Sequence, residues 1–451
     1  MIGGMTPGRA IRTLGVAALL LVPAGAGAGE SRWWKGNLHT HTLWSDGDDY
    51  PEMVVEWYKR QGYHFLAISD HNITLEGEKW IVVKEPVSLG GDTQYRGGGP
   101  VLEKYLTRFG PRWVEQRLSG GRREVRLKTL AEFGPLFEEK DRFLLIPSEE
   151  ISTAWLRPKT DSGAERGGPV HLNVTNIRER LAPVAGEDAL SVMQRNVDQV
   201  WEQRARTGQP MFPHLNHPNY LWGVTAEELM RVRGERFFEV YNGHFNARNA
   251  GGETYLGTEE MWDVILTHRL AELGLEPMFG IAVDDAHHYH TQRLGKQNAG
   301  RGWVMVRTPA LTPEAIVHAM EAGDFYATTG VVLSDVRCEG GTLHVEVAAE
   351  PGVDYTVQFI GTRRDFDRRS EPLPVVAGSK GLPHRRYSRE VGAVLAEVRG
   401  PNASYAMKGD ELYVRAKIIS TKPKPNASTA GEFEVAWTQP LVAKGGGHRQ
   451  P

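Results

Sequence analysis

The chain has 451 residues, of which 40% are hydrophobic and 24% charged, with 53 Lys and Arg against 56 Asp and Glu. This mixture excludes a disordered chain and a membrane bundle, and the acidic balance gives no indication of a stable nucleic-acid partner. The single cysteine, Cys338, excludes an internal disulfide, so stability rests on core packing and on any bound metal.

At the N-terminus, Arg9 and Arg12 precede an apolar run from Leu14 to Val22, and Ala26-Gly27-Ala28 follows with small residues. Residues 1–28 therefore read as a secretory signal peptide, since the run is too short to span a bilayer. No other stretch is apolar enough to cross a membrane. The mature protein is expected in the periplasm or outside the cell.

Asn37 to Gly47 reads NLHTHTLWSDG. His39 and His41 are one residue apart, so on an extended segment both imidazoles face one side and can reach one ion. Pro51 suits the first turn of a helix that runs to Gly62, and Phe65 to Ser69 is a short buried strand ending in Asp70-His71-Asn72. One strand, helix, strand unit with polar strand ends is the arrangement by which α/β barrels place their chemistry.

Between Ile73 and Arg142 the periodicity breaks down around Gly90-Gly91, Gly97-Gly98-Gly99 and Gly120-Gly121. A loop of that length without structure is improbable, so this reads as an insertion with its own helices over the mouth of the barrel. Its eight Lys and Arg from Lys104 to Lys128 suggest either a basic lid or a solvated helix face.

The strand pattern resumes at Phe143 to Pro147, which leads into Ser148-Glu149-Glu150, and again at Val170 to Thr175, which carries His171. After a helix from Asp188 to Arg206, the strand Pro210 to His217 runs into a turn at Pro218-Asn219. A helix from Thr225 to Arg233 precedes the strand Phe237 to Tyr241, which ends in Asn242-Gly243-His244. A helix from Glu259 to Leu273 precedes the strand Pro277 to Val283 and Asp284-Asp285-Ala286-His287. Trp303 to Val306 and a helix from Thr312 to Ala322 close this region.

Beyond Gly330 the apolar period becomes two, as in Leu343, Val345 and Val347, and residues 331–445 read as a small antiparallel β-sandwich. Pro-Asn-Ala-Ser occurs at 401 and at 425, and both copies read as loops flanking one strand.

His39, His41, Asp46, His71, Glu150, His171, His217, Asp285 and His287 all fall at or after strands, and six of the sixteen histidines are among them. Imidazole nitrogen with carboxylate oxygen suits Zn, Mn or Fe, and so many donors would hold two or three divalent ions. His214 and His244 are candidates for protonating a leaving group. Asn72, Asn219 and Asn242 stand beside the ligand motifs, either to bind substrate or to close turns, and Arg293 and Arg301 are cations near the last of them and candidates for binding substrate.

With these residues in view, the chain resembles the PHP family, the polymerase and histidinol phosphatase superfamily of metal-dependent phosphoesterases. NLHTHTLWSDG, AISDHN, IPSEEIS, NHPN and DDAH are similar to its five ordered motifs, over about residues 33 to 325. The resemblance implies a distorted (β/α)7 barrel over residues 29–330, the insertion at 73–142 included, with a metal cluster at the C-terminal strand ends. It implies that His39 and His41 bind one ion, that Glu150 bridges it to a second, and that Asp285 and His287 supply another pair. His71, His171 and His217 complete the shell, and Asp46 stands where many relatives have histidine or aspartate.

The function implied is metal-dependent hydrolysis of a small anionic phosphomonoester or phosphodiester, nucleotide-type esters included, by a metal-activated water. The alternatives are hydrolysis of a carboxylic or carbamate ester at the same centre, and a non-catalytic surface-binding protein.

Overall fold

The computed structural model of the protein describes Met1 and residues 30–89, 92–160, 163–374 and 382–443; apart from Met1, the signal-peptide reading lies outside the described residues. Nine strands carry the first part of the chain: β1 (Arg32–Asn37), β2 (Phe65–Ile68), β3 (Leu144–Thr160), β4 (Gly163–Thr175), β5 (Phe212–Leu215), β6 (Phe237–Asn242), β7 (Phe279–Val283), β8 (Trp303–Thr308) and β9 (Phe325–Thr328). Their order is β7-β6-β5-β4-β3-β2-β1-β8-β9.

Every residue of β2, β5, β6 and β7 is buried, as expected of strands covered on both faces. Two parallel groups result, β1-β2-β3 and β5-β6-β7, and β4 joins them antiparallel to both neighbours. Trp34, Phe65, Ile146, Phe212, Phe237 and Phe279 belong to one apolar cluster, so strands far apart in the order share a core.

The sheet is mixed α/β. Among the described residues no ladder pairs β7 with β8 or β9, and β4 and β8 run against their neighbours, so hydrogen bonds do not close the expected barrel.

Helices follow the local signals. Helix α1 (Pro51–Arg60) has Pro in its first turn, Glu52 at its positive end and Lys59 and Arg60 at its negative end. Helix α2 (Ala189–Thr207) starts from an Asp188–Ser191 capping box and stops at the left-handed Gly208. Helix α3 (Thr258–His268) passes into a π-helical turn at Arg269–Leu273, and α4 (Pro313–Glu321) begins behind the Thr312 cap. The helix expected from Thr225 to Arg233 is only the short Ala226–Leu229 segment.

The insertion contains helices Pro100–Phe109 and Leu130–Phe137, but also a three-stranded sheet and a hairpin of Lys84–Leu89 with Asp92–Arg96. Its basic run is largely spent on acids: Lys104 on Asp49, Arg108 on Glu56, Arg117 on Glu124, Arg126 on Glu115 and Glu132, and Lys128 on Glu115. Arg122 and Arg123 are exposed where the outer strands turn.

C-terminally, β10 (Leu333–Glu339), β11 (Thr342–Val347) and β14 (Asn402–Ala406) form a separate antiparallel sheet. β12 (Tyr355–Arg363), β13 (Ala393–Arg399), β15 (Glu411–Pro423) and β16 (Phe433–Thr438) instead extend the main sheet, because β16 pairs with β9. Leu343, Val345 and Tyr405 from the separate sheet share a cluster with Val357, Phe359 and Val414 from the extension. The first Pro-Asn-Ala-Ser copy opens β14 rather than a loop; the second, at 425, is a loop.

Candidate metal centre

The motifs meet because the strand ends are stitched together. Asp285 N–H donates to the His39 carbonyl at 3.1 Å and His41 N–H to the Ala286 carbonyl at 3.0 Å, which joins the segment after β1 to that after β7. A bridge between His71 and Glu150 joins the end of β2 to β3. Asp70 accepts from Thr42 N–H at 2.8 Å and from its hydroxyl at 2.7 Å, fixing the turn behind His41. A Cβ at Gly47 would stand 2.6 Å from the His41 carbonyl oxygen, so only glycine lets the chain fold back and bring Asp46 to the cluster.

Glu150 is the hub. Fully buried, its Oε1 is 3.0 Å from His171 Nδ1, 3.4 Å from His217 Nε2 and 2.8 Å from Asn216 Nδ2. Its Oε2 lies 2.7 Å from His71 Nδ1, 3.4 Å from His41 Nε2 and 3.5 Å from His39 Nε2, yet it makes no hydrogen bond. Asp285 Oδ1 is 3.3 Å from His39 Nε2, 3.2 Å from His41 Nε2 and 3.6 Å from His287 Nδ1. Asp46, with its side chain 56% exposed, stands 3.5 Å from His71, 3.3 Å from His287 and 3.7 Å from His41. All nine residues expected as ligands are therefore in one cluster.

Backbone strain marks the same place: His217 has φ 23° and Asp285 φ 50°. Each costs about 1–3 kcal/mol, held by the surrounding bonds.

The charges of the cluster are tightly coupled. Burial would empty the His39 ring of its proton, but Asp285, Glu239 and Glu150 hold its pKa well above the usual range. Burial likewise opposes the charge on Glu150, and His71, His39 and His171 keep it ionised far below the ordinary carboxylate range. His71 is drawn up to about 11 against burial by Glu150 and Asp46, whereas His41 is pushed down to about 4 by burial and by His287 and His71.

Several groups of three or four of these donors have ligand atoms all within 4.8 Å of one another: His39, His41 and Asp285; His71, Glu150 and His171; and His41, Asp46, His71 and His287. The bare, buried Glu150 Oε2 faces two of them, and the donors are imidazole nitrogen and carboxylate oxygen. This set fits borderline or hard divalent ions. The remaining group, His39, His214 and Glu239, lies on the Nδ1 side of His39, where Glu239 Oε1 is at 2.6 Å.

The other expected site residues sit differently. His214 is fully buried, 3.4 Å from Glu239. His244 lines the cavity; its Nδ1 accepts Asn246 N–H at 3.0 Å, and burial pushes its pKa down to about 3, so the ring is neutral. The Gln297 side-chain amide nitrogen lies 2.8 Å from His244 Nε2.

The side chains read as substrate binders are mostly spent within the protein. Asn72 bonds to Ser152 at both ends of its amide, Asn219 donates to the Arg248 and Leu256 carbonyls, and Asn242 donates to Glu239 and Asp285. Arg301 is fully buried and donates to the Gly243, Lys296, Arg293 and Asn426 carbonyls, so it organises loops instead of meeting a ligand. Arg293 is exposed and lines neither the cavity over the cluster nor the chamber beside it.

Sequence reasoning missed Glu239, Asn216, Tyr220 and Gln297. Glu239 had a signal, a lone acid in the otherwise apolar strand β6. Tyr220 and Gln297 line a cavity of about 250 Å³ over the cluster together with His71, His171, His217 and His287.

No family model matches the chain, and no curated protein matches it. Among solved structures it is similar, at 14% identity and a TM-score of 0.36, to a two-domain protein from Bacteroides vulgatus containing a predicted PHP-like metal-dependent phosphoesterase; the alignment covers 91% of this chain and 96% of that one.

Proposed function

We propose that the protein is a metal-dependent phosphoesterase hydrolysing a small phosphomonoester or phosphodiester. The observation that carries this reading is Glu150: a fully buried carboxylate with His171 and His217 beside one oxygen and His39, His41 and His71 beside the other, so that it would serve donors on both sides if divalent ions were bound.

His39, His41, Glu150 and Asp285 would hold one ion, Glu150, His171 and His217 a second, and Asp46, His71 and His287 a third. When bound, divalent ions would supply a water of near-neutral pKa and charge stabilisation for the phosphoryl oxygens. Hydrolysis forms a bond from the water oxygen to phosphorus, breaks the bond from phosphorus to the leaving oxygen, and delivers a proton to that oxygen. Tyr220, its ring 5.2 Å from His217 and 6.0 Å from His244, presents the hydroxyl we assign to hydrogen-bond the leaving oxygen. His244 and Gln297 orient the ester against that face.

We read residues 29–330 as the metallohydrolase unit, the core sheet as a distorted barrel of the PHP kind, residues 331–445 as a β-sandwich, and residues 1–28 as a cleaved export signal. The reaction is tested by His39→Ala and Asp285→Ala: both lose hydrolysis and bound metal while the far-UV spectrum stays that of the parent. Full activity in either variant would overturn the assignment.

A further inference from the structure

Beside the metal cluster lies a larger chamber of about 600 Å³, and the two spaces share Asp46 and Gln297 as walls. The chamber is lined on one side by Lys84 and Arg96 from the hairpin of the insertion, and on the other by the largely buried Lys296.

Lys84 and Arg96 are directly opposed in the antiparallel ladder of that hairpin. Opposed positions let both cationic side chains reach one space, where an anion would offset the repulsion between them. The acids of the lining are Asp46, which stands against His71 and His287, and the buried Asp48, which accepts the Tyr289 N–H at 2.9 Å. Between chamber and cluster stands Phe245, 38% exposed and stacked on His244 with ring centroids 5.2 Å apart. It gives a flat apolar surface to whatever bridges the two spaces.

We infer that the chamber is a second anion site, and that the substrate is an elongated ester with two anionic groups. The scissile phosphate sits at the metal cluster, a sugar or aromatic body lies along Phe245, and a distal phosphate is held between Lys84 and Arg96. This rests on the phosphoesterase reading for the reaction, though not for the binding. The chamber volume suits a nucleotide-sized ligand, of the few hundred Å³ such sites enclose.

A matched pair of esters tests the inference: thymidine 5′-(p-nitrophenyl phosphate) with and without a 3′-phosphate, hydrolysed by the metal-loaded protein. The parent protein is expected to favour the 3′-phosphorylated ester by about tenfold in kcat/KM, carried by KM, the effect of one well-formed charge-assisted contact. In the Lys84→Gln, Arg96→Gln double variant the ratio is expected to fall toward one. Equal kcat/KM for the two esters in the parent, or an unchanged ratio in the variant, would overturn the chamber as an anion site. Binding is read independently by calorimetric titration of the metal-free protein with thymidine 3′,5′-bisphosphate, which should bind the parent more tightly than the variant. Lysine- and arginine-dependent binding without hydrolysis of either ester would keep the chamber and overturn the reaction; equal binding to both proteins would overturn the chamber.

Discussion

Glu239 Oε1 stands 2.6 Å from His39 Nδ1, while its other oxygen accepts the His217 backbone N–H and the Asn242 amide, each at 2.7 Å. One buried carboxylate from β6 thus sets the ring of His39 after β1 and the backbone of His217 after β5. Burial opposes its charge, but His39 and His214 keep its pKa down at about 2, so it is ionised throughout the working range.

Glu239→Gln keeps the shape and removes the charge that holds the His39 tautomer. A loss of about 10–100-fold in metal affinity and in kcat/KM is expected, the usual consequence of losing the partner behind a ligating histidine. Metal titration with a competing chelator reads this directly; unchanged affinity would show that Glu239 does not position His39.

The loop carrying Asp285 and His287 is held from the C-terminal strands. Asn426 Nδ2 donates to the Ala299 carbonyl at 2.7 Å and Arg301 Nε to the Asn426 carbonyl at 3.2 Å. Asn426→Ala should therefore cost about 1–2 kcal/mol of stability and weaken metal binding although residue 426 is no ligand. Denaturant unfolding and metal titration check the two effects; loss of neither would make the C-terminal strands irrelevant to the centre.

Lys424, close by, is nearly fully buried and donates to the Tyr241 hydroxyl. Burial lowers its pKa to about 8, partly offset by Glu432 and Asp284. Since the folded pKa is below the unfolded one, the unfolded chain binds more protons between pH 8 and 10, and stability contributed at this position rises with pH there. The charged state costs about 3 kcal/mol at pH 7. Relative to the parent, Lys424→Met should flatten the gain between pH 8 and 9.5 in urea unfolding; parallel curves would place the ordinary pKa on Lys424.

Arg122 and Arg123 provide a contrast with Lys84 and Arg96. Neutralising both should leave KM for anionic esters within about twofold, because they line neither the cavity over the cluster nor the chamber, and charges exposed away from the ligand are screened in saline. A large rise in KM would restore the basic lid that the Lys104 to Lys128 run suggested.

How much of this was legible follows from where each partner lies in the chain. That these residues would cluster was readable because donor type, spacing and strand ends coincide locally, as in His39-Thr40-His41 and Asp285-Ala286-His287. The spent charges of the insertion were not, since Lys104 and Arg108 find Asp49 and Glu56 about fifty residues earlier, through packing on α1. Arg301 reads as a free cation in sequence because its acceptors are mainly backbone carbonyls, which carry no side-chain signature. The opposed pair Lys84 and Arg96 depends on the register of a hairpin within an insertion expected to carry helices, and nothing local in the sequence sets these two cations across from each other. The antiparallel β4 was hidden for a similar reason: it follows β3 with no helix between, so it returns antiparallel.

The most direct test is hydrolysis of p-nitrophenyl phosphate, bis(p-nitrophenyl) phosphate and p-nitrophenyl acetate by the purified protein, first stripped of metal and then supplied with Mn or Zn. Turnover of a phosphate ester that disappears with the metal and returns with it is the expected result. Turnover of the acetate alone, or phosphate turnover indifferent to metal, would contradict a metal-dependent phosphoesterase.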